Sequence, residues 1–261
     1  MSTEAGGDFE RRFGGIRRLY GEAAFARFRG AHVCVIGIGG VGSWAAEALA
    51  RSAIGRITLV DLDNVCVSNV NRQVHALDHE FGKAKVAAMA GRIRAINPEC
   101  AVTEIEDFVG EENLDEILGR GYDYVIDAID GVKAKAALIA WCKPRRIGLV
   151  TVGGAGGQTD PTRVQVADLS RAIQDPLAAK VRSLLRRQYS FPRDPKRKFG
   201  VDCVFSTEPL IYPTGEEGAA CFEKDMRLTG LACAGFGSSM CVTAAFGLAA
   251  ASRVLQRLAG K

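Results

Sequence analysis

The chain has 261 residues, of which 48% are hydrophobic and 25% are charged, a balance typical of a single soluble α/β domain with a sizeable core. Its formal net charge of +4 is too small to indicate a nucleic-acid or membrane partner by itself. Residues 1–12 mix both signs of charge and lack the apolar run of a secretory signal, so we expect a cytoplasmic protein rather than a secreted one.

The first predicted elements are a helical segment over residues 11–30 and a strand over His32–Ile36, whose continuous apolar run is typical of a strand buried on both faces. A helix is predicted over residues 44–52. The turn between them has the glycine spacing G-x-G-x-x-G, which predicts a nucleotide site because it lets backbone N–H groups approach a phosphate. The glycines assigned to this site are Gly37, Gly39, Gly40 and Gly42.

Polar residues follow the second predicted strand, Arg56–Val60. Asp61 stands about 20 residues beyond the glycines, where a carboxylate commonly binds a ribose hydroxyl, and Asp63 is assigned to the same ribose. Asn69 and Arg72 then place an amide and a guanidinium beside the phosphate loop. A dinucleotide-binding dehydrogenase does not need this second group of polar residues.

Two further charged residues are predicted to reach the same edge of the sheet. Lys85 lies near the start of a helix predicted over residues 83–97, and Asp130 follows a strand predicted over residues 122–127. Ligands of open α/β sheets bind at the carboxyl ends of the strands. Arg72, Lys85 and Asp130 therefore favour a nucleoside triphosphate with Mg²⁺ on Asp130, while an NAD-dependent oxidoreductase stays as an alternative that leaves these residues unexplained.

Strands and helices are predicted to alternate as far as residue 152, with helices over 83–97, 112–118 and 132–143 and strands over 101–106, 122–127 and 147–152. This alternation predicts an α/β fold with a Rossmann-like doubly wound sheet that is parallel in its N-terminal part. Added strands and helices are expected in the C-terminal part, namely a strand over 163–166 and helices over 175–188 and 238–258.

We expect one domain over residues 1–261, with a nucleotide-binding half over 31–155 and a substrate-binding half over 156–261. The second half contains a basic segment, residues 180–200, with eight lysines or arginines and one acid. A local basic excess is typical of a nucleic-acid site, and Tyr189, Phe191 and Phe199 are candidates for stacking on bases. A solvated loop explains the same composition equally well.

Some residues leave two interpretations open. Residues 228–252 carry no charge and are long enough to span a bilayer, but their small side chains favour a buried helix without stable membrane insertion. Cys203 and Cys233 are candidate nucleophiles, although buried neutral thiols are commoner. His75 is expected to be structural, and the glycines at 153–157 line the acceptor pocket or form a plain turn.

Four separated motifs, GIGGVGS, DLDNVCVSNVNRQ, GKAKV and DAID, resemble the ubiquitin-activating-enzyme-like adenylating superfamily of the ThiF and MoeB type. Longer motifs are similar to one bacterial branch of it, the tRNA threonylcarbamoyladenosine dehydratases. These are RRFGGIRRLYG, GGAGGQTDPTRVQVADL, DPLAAKVR and GVDCVFSTEP. The resemblance extends from about residue 11 to the C-terminus.

The resemblance implies ATP-dependent cyclising dehydration of N6-threonylcarbamoyladenosine in tRNA, next to the anticodon, through an acyl-adenylate. It implies catalytic roles for Arg72, Lys85 and Asp130, with ATP and Mg²⁺ as cofactors and the basic segment on tRNA. It also implies a homodimer in which an N-terminal arginine, Arg12 or Arg17, reaches the partner's ATP.

The same superfamily leaves a second function open, adenylation of the C-terminus of a ubiquitin-like sulfur-carrier protein. A cysteine desulfurase or sulfur-acceptor system would then be a partner. Relatives of that kind often hold zinc on two C-x-x-C pairs, and the eight cysteines of this chain form no such pair, which disfavours this alternative.

Overall fold

A computed structural model describes the backbone of residues 2–212 and 236–260 and the side chains from residue 8 onward within those ranges. Seven strands form one sheet in the order β3-β2-β1-β4-β5-β7-β6. Neighbouring strands are parallel except β6, which runs antiparallel to β7 at one edge. The strands are β1 His32–Ile36, β2 Arg56–Val60, β3 Ala101–Ile105, β4 Tyr124–Asp127, β5 Gly148–Val152, β6 Val164–Asp168 and β7 Asp202–Ser206.

Helices cover both faces of the sheet, and each face has its own apolar cluster. One cluster joins α2, α3, α4 and α8 to the sheet, and the other joins α5, α6 and α7 to it. The described helices are α1 Ser2–Tyr20, α2 Glu22–Gly30, α3 Gly42–Arg51, α4 Lys85–Ile96, α5 Leu114–Leu118, α6 Val132–Cys142, α7 Pro176–Gln188 and α8 Met240–Leu258.

The predicted fold class is confirmed, and the main corrections lie at the C-terminal edge. The bounds of β1 and β2 agree with the prediction, whereas β6 begins one residue later than predicted and extends to Asp168. Strand β7 was not predicted, because only its burial between β5 and β6 distinguishes it from an apolar loop. The predicted N-terminal helix is broken into two at Gly21, whose φ is +86°. The division into halves near residue 155 stays a prediction.

The predicted C-terminal helix is confirmed as α8, which packs against α3 and the sheet. Val242, Phe246 and Val254 are completely buried, and burying a side chain of this size contributes about 1.5–3 kcal/mol. Arg253 forms a two-pronged ion pair with Asp202 of β7, with N···O distances of 2.8 and 3.0 Å. Among the described residues, no helix has the length and apolar character needed to cross a membrane.

Close approach of backbone explains two glycines of the fingerprint. A Cβ atom on Gly42 would overlap the carbonyl oxygen of Gly37, so only glycine allows α3 to start this close to β1. Gly37 has φ +85°, and a Cβ there would lie 2.9 Å from the carbonyl carbon of Ala128, just beyond β4. The absence of side chains at these positions brings β1, α3 and β4 together at one point.

This packing predicts opposite effects for two glycine-to-alanine substitutions. Gly42→Ala should lower the free energy of unfolding by more than about 2 kcal/mol, because the clash is with backbone and the side chain cannot move away. Gly91→Ala, on the exposed face of α4 with open space around it, should raise it by about 0.5–1 kcal/mol. Urea denaturation of both variants measures the change in the free energy of unfolding. Equal changes would contradict the close contact between Gly42 and the Gly37 carbonyl.

Candidate active site

The nucleotide site predicted from the sequence lies at the carboxyl ends of β1 and β4. Helices leave these neighbouring strands toward opposite faces of the sheet, which is the position where open α/β sheets form a binding crevice. The backbone N–H of Gly37 donates to Val60 O at 2.9 Å, which fixes the turn to the adjacent strand. A Cβ on Gly39 would meet no atom within 4 Å, so the space over the turn is open.

Asp61 ties the glycine turn to the end of β2. Its Oδ2 accepts a hydrogen bond from the Ile38 N–H at 2.6 Å, and its Oδ1 accepts one from the Asp63 N–H at 2.9 Å. Burial raises the pKa of Asp61, while the nearby Lys85 charge and the two N–H groups oppose that rise. Each carboxylate oxygen keeps a free lone pair with which it can accept from a ribose hydroxyl.

Lys85 is the first residue of α4 and points into the same crevice. Its side chain is only 8% exposed, and Nζ lies 2.6 Å from Asp63 Oδ2 and 3.9 Å from Asp61 Oδ1. The Lys85 N–H also donates to the carbonyl oxygen of Asp63 at 2.9 Å. Lys85 therefore lies beside both aspartates at the same edge of the sheet, with the ammonium held in place by the exposed carboxylate of Asp63, and its predicted contact with phosphate stays a prediction.

Arg72 lies over the glycine turn. A Cβ on Gly40 would come within 3.1 Å of Arg72 Cγ, so the glycine leaves room for the arginine stem. Its Nη1 donates to Ser68 O at 2.8 Å and to Asn71 Oδ1 at 2.9 Å, and its carbonyl accepts from Trp44 Nε1 at 2.9 Å. The backbone and one edge of the guanidinium are thus fixed, and the other edge is available to a ligand.

Asn69 shapes the turn that carries Arg72. The asparagine is buried, and its Oδ1 accepts from the Cys66 N–H at 3.0 Å. Its carbonyl accepts from the N–H groups of Arg72 and Gln73 at 3.0 and 2.9 Å. The structure therefore gives Asn69 a role in holding Arg72, and its predicted contact with phosphate stays a prediction.

Asp130 lies three residues beyond β4, after the backbone of Ala128 that packs on Gly37. The side chain is half-buried, and among the described residues it makes no hydrogen bond or ion pair. The described residues contain no cluster of three or more His, Cys, Asp or Glu side chains suited to a metal. A single free carboxylate fits Mg²⁺, which commonly takes one or two carboxylates and completes its shell with phosphate oxygens and water.

These groups adjoin the open space over the glycine turn. The Arg72 stem packs on Gly40, Lys85 is connected to the turn through Asp61, and the backbone of Ala128, just before Asp130, packs on Gly37. Such an arrangement binds polyphosphate and stabilises charge that builds up on it during transfer.

Comparison with known proteins agrees with this geometry. A family model described as the ThiF family matches residues 14–261. The chain belongs to the ThiF family.

Relatives in this family resemble the chain over its whole length. A tRNA threonylcarbamoyladenosine dehydratase of Haemophilus influenzae is 56% identical over 97% of this chain and 95% of its own. The Escherichia coli protein of the same name is 54% identical, with 100% and 98% covered. A crystal structure of the E. coli enzyme in complex with ATP has a TM-score of 0.86 over 96% of this chain and 95% of that one.

Arg12 is not brought to the site within one protomer of this ThiF-family chain. Its Nη1 donates to the carbonyl oxygens of Ala95 and Ile96, at the end of α4 opposite Lys85, and its Nε pairs with Asp8 at 2.8 Å. Arg17 pairs with Glu10 at 2.6 Å. The approach of Arg12 or Arg17 to the ATP of a partner protomer stays a prediction.

Burial decides two of the alternatives that the sequence left open in the C-terminal part. Phe199 is 2% exposed and packs edge-to-face on the half-buried Phe191 at 5.0 Å, so the Phe199 ring belongs to the core and presents no surface for bases. Tyr189 is half-buried and donates to Glu111 at 2.6 Å. Cys203 is completely buried in β7, and burial raises the pKa of its thiol far above the usual range, which removes it as a nucleophile. Cys233 lies outside the described residues.

A buried charged network under the site was missed by the sequence analysis. Lys135 of α6 is 1% exposed, and its Nζ lies 2.8 Å from Asp127 Oδ2 and 3.1 Å from Thr151 Oγ1. Thr151 also donates to Asp127 at 2.6 Å. These bonds connect β4, β5 and α6 just below the Asp130 loop. The sequence feature that could have predicted this network is Lys135, which stands among apolar residues of a predicted helix, eight positions after Asp127 at the end of an apolar strand.

Two other buried carboxylates hold the loop that follows β5. Asp175 accepts from the Gly154 N–H at 3.0 Å and from the Ala178 N–H at 2.8 Å, so it caps α7 and fixes the glycine loop together. A Cβ on Gly153 would overlap the Asp175 carboxylate. Glu208 accepts from the N–H groups of Thr159 and Asp160. The group that approaches Gly153 closely is therefore the Asp175 side chain of the protein and not a ligand.

His75 is buried as expected for a structural histidine, but neither ring nitrogen has a hydrogen-bond partner among the described residues. Burial, together with the nearby charge of Lys85, lowers the pKa of His75 to about 4. The imidazole is therefore neutral in the folded protein at neutral pH.

This pKa predicts an acid-dependent loss of stability. The pKa of His75 falls from 6.5 in the unfolded chain to about 4 in the folded protein, so the neutral ring opposes folding least above pH 6.5. As the pH falls from 6.5 toward 4, the unfolded state binds a proton that the folded state does not, and the free energy of unfolding decreases. The change corresponds to about 3 kcal/mol of unfolding free energy. Urea denaturation of His75→Leu between these pH values should show a flatter profile, while His79→Gln, at an exposed histidine, should keep the wild-type profile. An unchanged profile for His75→Leu would refute the assignment.

Proposed function

We propose that this chain catalyses the ATP-dependent cyclising dehydration of N6-threonylcarbamoyladenosine in tRNA through an acyl-adenylate. The observation that carries the proposal is the open glycine turn flanked by Lys85 and Arg72. It occurs in a chain that aligns almost end to end with proteins named for this reaction. The related E. coli enzyme has been crystallised with ATP and with AMP, which are the substrate of the adenylation step and the product released on ring closure.

The first step activates a carboxylate, which is a poor electrophile. The threonine carboxylate of the modified base attacks the α-phosphate of ATP, and pyrophosphate leaves. Negative charge then grows on the α-phosphate and on the leaving group. Arg72 packs on Gly40 and Lys85 pairs with the aspartates that follow β2, so both cations adjoin the glycine turn and stabilise that charge.

Asp61 and Asp63 have complementary parts in binding ATP. Asp61 is fixed by two backbone N–H groups and binds the ribose with its remaining lone pairs. Asp63 is exposed and pairs with Lys85 at 2.6 Å, so an arriving phosphate competes with it for the same ammonium. Mg²⁺ held by Asp130 would supply further neutralisation of phosphate charge.

The second step closes a ring within the modified base. The carbamoyl group attacks the activated carbonyl, loses a proton and expels AMP. One water is lost overall, and its oxygen leaves in AMP. Because nucleophile and electrophile belong to the same nucleoside, effective molarity replaces an external nucleophile. The burial of Cys203 is compatible with this route, which uses no thiol.

Several parts of the proposal concern partners. We expect the basic segment 180–200 to bind tRNA and the residues at 153–157 to adjoin the acceptor. We also expect a homodimer in which Arg12 or Arg17 approaches the partner's ATP, and a cytoplasmic location. A docking cysteine desulfurase or sulfur-acceptor protein is an additional expectation.

Nucleoside mass spectrometry tests the reaction directly. tRNA carrying threonylcarbamoyladenosine is incubated with the protein, ATP and Mg²⁺, digested and compared with a sample lacking ATP. We expect the modified nucleoside to lose one water while AMP accumulates in equal amount. An unchanged nucleoside, together with pyrophosphate exchange that requires a small carrier protein, would move the chain to the protein-activating branch.

Substitution of the two cationic residues tests their roles. Lys85→Ala and Arg72→Ala should each lower kcat by on the order of 100-fold, because each removes a charge that opposes the one developing on phosphate. Lys83→Ala is the matched control, since Lys83 is exposed, lies two residues away and pairs with Glu80. Thermal unfolding checks that all three variants fold. A Lys85→Ala variant as active as Lys83→Ala would remove Lys85 from the site.

A further inference from the structure

Helix α7 has two chemically different faces. Its buried face consists of Leu177, Ala178, Val181, Leu184 and Leu185, which pack against α6 and the sheet. The opposite face recurs at helical spacing and is basic, with Ala179, Arg182, Ser183, Arg186 and Arg187. The apolar face explains why the helix docks on the sheet, and it leaves the basic face without an explanation in the fold.

The basic face lines a cavity of about 420 Å³, and Arg193, from the loop after α7, completes it. We call this cavity the arginine groove, defined by Arg182, Arg186, Arg187 and Arg193 with Ala179 and Ser183. Four arginines line this open groove, and none of the residues that line it is acidic.

The inner two arginines are held in position by the protein backbone. Arg182 Nη1 donates to Leu169 O at 3.4 Å, and Arg186 Nε donates to Pro192 O at 3.2 Å. The Arg186 guanidinium also lies 5.3 Å from the centre of the Phe199 ring. Each guanidinium has five N–H donors, so these contacts fix the side chains and leave most donors unused.

Within the described part of the chain, the positive charge of this groove is opposed in part at Arg182, which the Asp175 carboxylate attracts. None of the four arginines has an ion pair there, and Arg187 and Arg193 have no hydrogen bond there either. The single acid of the basic segment, Asp194, accepts from the Lys196 N–H at 2.8 Å within its own turn. Burial lowers the pKa of Arg182, and the charge of Arg186 lowers it further. An anion would relieve this repulsion.

We propose that the arginine groove binds a backbone phosphate of the tRNA substrate, an inference that rests on the proposed function. Guanidinium groups match phosphate oxygens in two-pronged geometry, which suits a phosphodiester better than a single lysine does. None of the residues that line the groove is among those assigned to the nucleotide site.

An RNA backbone fits the surroundings better than a small anion. The positive surface continues past the groove through exposed residues of the following loop, Lys196, Arg197 and Lys198. A polyanion can follow such a track, while a free phosphate uses only one point on it. Asp175 caps α7 and also holds Gly154, so the helix that carries the groove is connected to the loop at the carboxyl end of β5.

The test compares two charge-matched double variants of the full chain. Arg187→Gln with Arg193→Gln removes two exposed charges of the groove that support no described contact. The control variant, Arg51→Gln with Arg94→Gln, removes two charges from exposed side chains in the layer of α3 and α4. Arg51 pairs with Glu47, which keeps Arg92 as a second partner, and Arg94 pairs with the solvent-accessible Glu104. Both pairs change net charge equally, so the comparison separates the groove from total charge.

Binding of tRNA carrying threonylcarbamoyladenosine is measured by fluorescence anisotropy at several salt concentrations. The groove variant should bind about fivefold more weakly, and its slope of log affinity against log salt should be less steep by roughly 0.8, the value for about one lost phosphate contact. The control variant should match wild type. In turnover, the groove variant should show a raised KM for tRNA and an unchanged KM for ATP.

Other results would separate this proposal from the proposed function. If wild type dehydrates the nucleoside and the groove variant binds tRNA as tightly as the control, the groove proposal is wrong and the function stands. If the groove variant loses tRNA binding while wild type leaves the nucleoside unchanged, the groove stands and the function is wrong. Unchanged tRNA binding with lost binding to phosphatidylglycerol vesicles would overturn the proposal in favour of a lipid surface.

Discussion

The close contact of backbone at the glycine turn is the constraint on which the rest of the structure depends. Gly42 rests on the carbonyl of Gly37, and Gly37 rests on the backbone of Ala128, so three elements meet with no side chain between them. This contact sets the start of α3, the level of the Asp130 loop and the position of Arg72 over Gly40. Arg72, Lys85 and Asp130 can lie near the same glycine turn because the backbone beneath them is closely packed.

The charged pair buried below the glycine turn and the charged pair at the crevice are exposed to water to very different extents. Below the turn, Lys135 and Asp127 are both almost fully buried and satisfy each other with Thr151, so they connect strands and are closed to a ligand. At the crevice, Lys85 has an exposed partner, Asp63, and is therefore able to exchange it for a phosphate. The inner pair is rigid because removing one member leaves a buried charge, which costs about 3–5 kcal/mol. The outer pair exchanges at much lower cost because water reaches Asp63.

The sequence was sufficient for the features that are local in the chain. A five-residue apolar run defined β1, and a glycine spacing followed by Asp61 predicted residues that the structure brings together at one edge of the sheet. It was insufficient where the partner lies far away in sequence. The contact of Asp175 with Gly154, the insertion of β7 between β5 and β6, and the burial of Phe199 all depend on tertiary packing. A basic, aromatic segment has the same composition whether its rings face solvent or core, so pattern alone could not decide that case.

The central claim is that the site joins the threonine carboxylate to the α-phosphate of ATP. Labelling that carboxylate with ¹⁸O in tRNA-bound threonylcarbamoyladenosine, and analysing the released nucleotide by mass spectrometry, follows the oxygen through the reaction. The account predicts that AMP gains one ¹⁸O atom, because the carboxylate oxygen that attacks phosphorus leaves with AMP on ring closure. Unlabelled AMP, or release of ADP with ¹⁸O in inorganic phosphate, would contradict it.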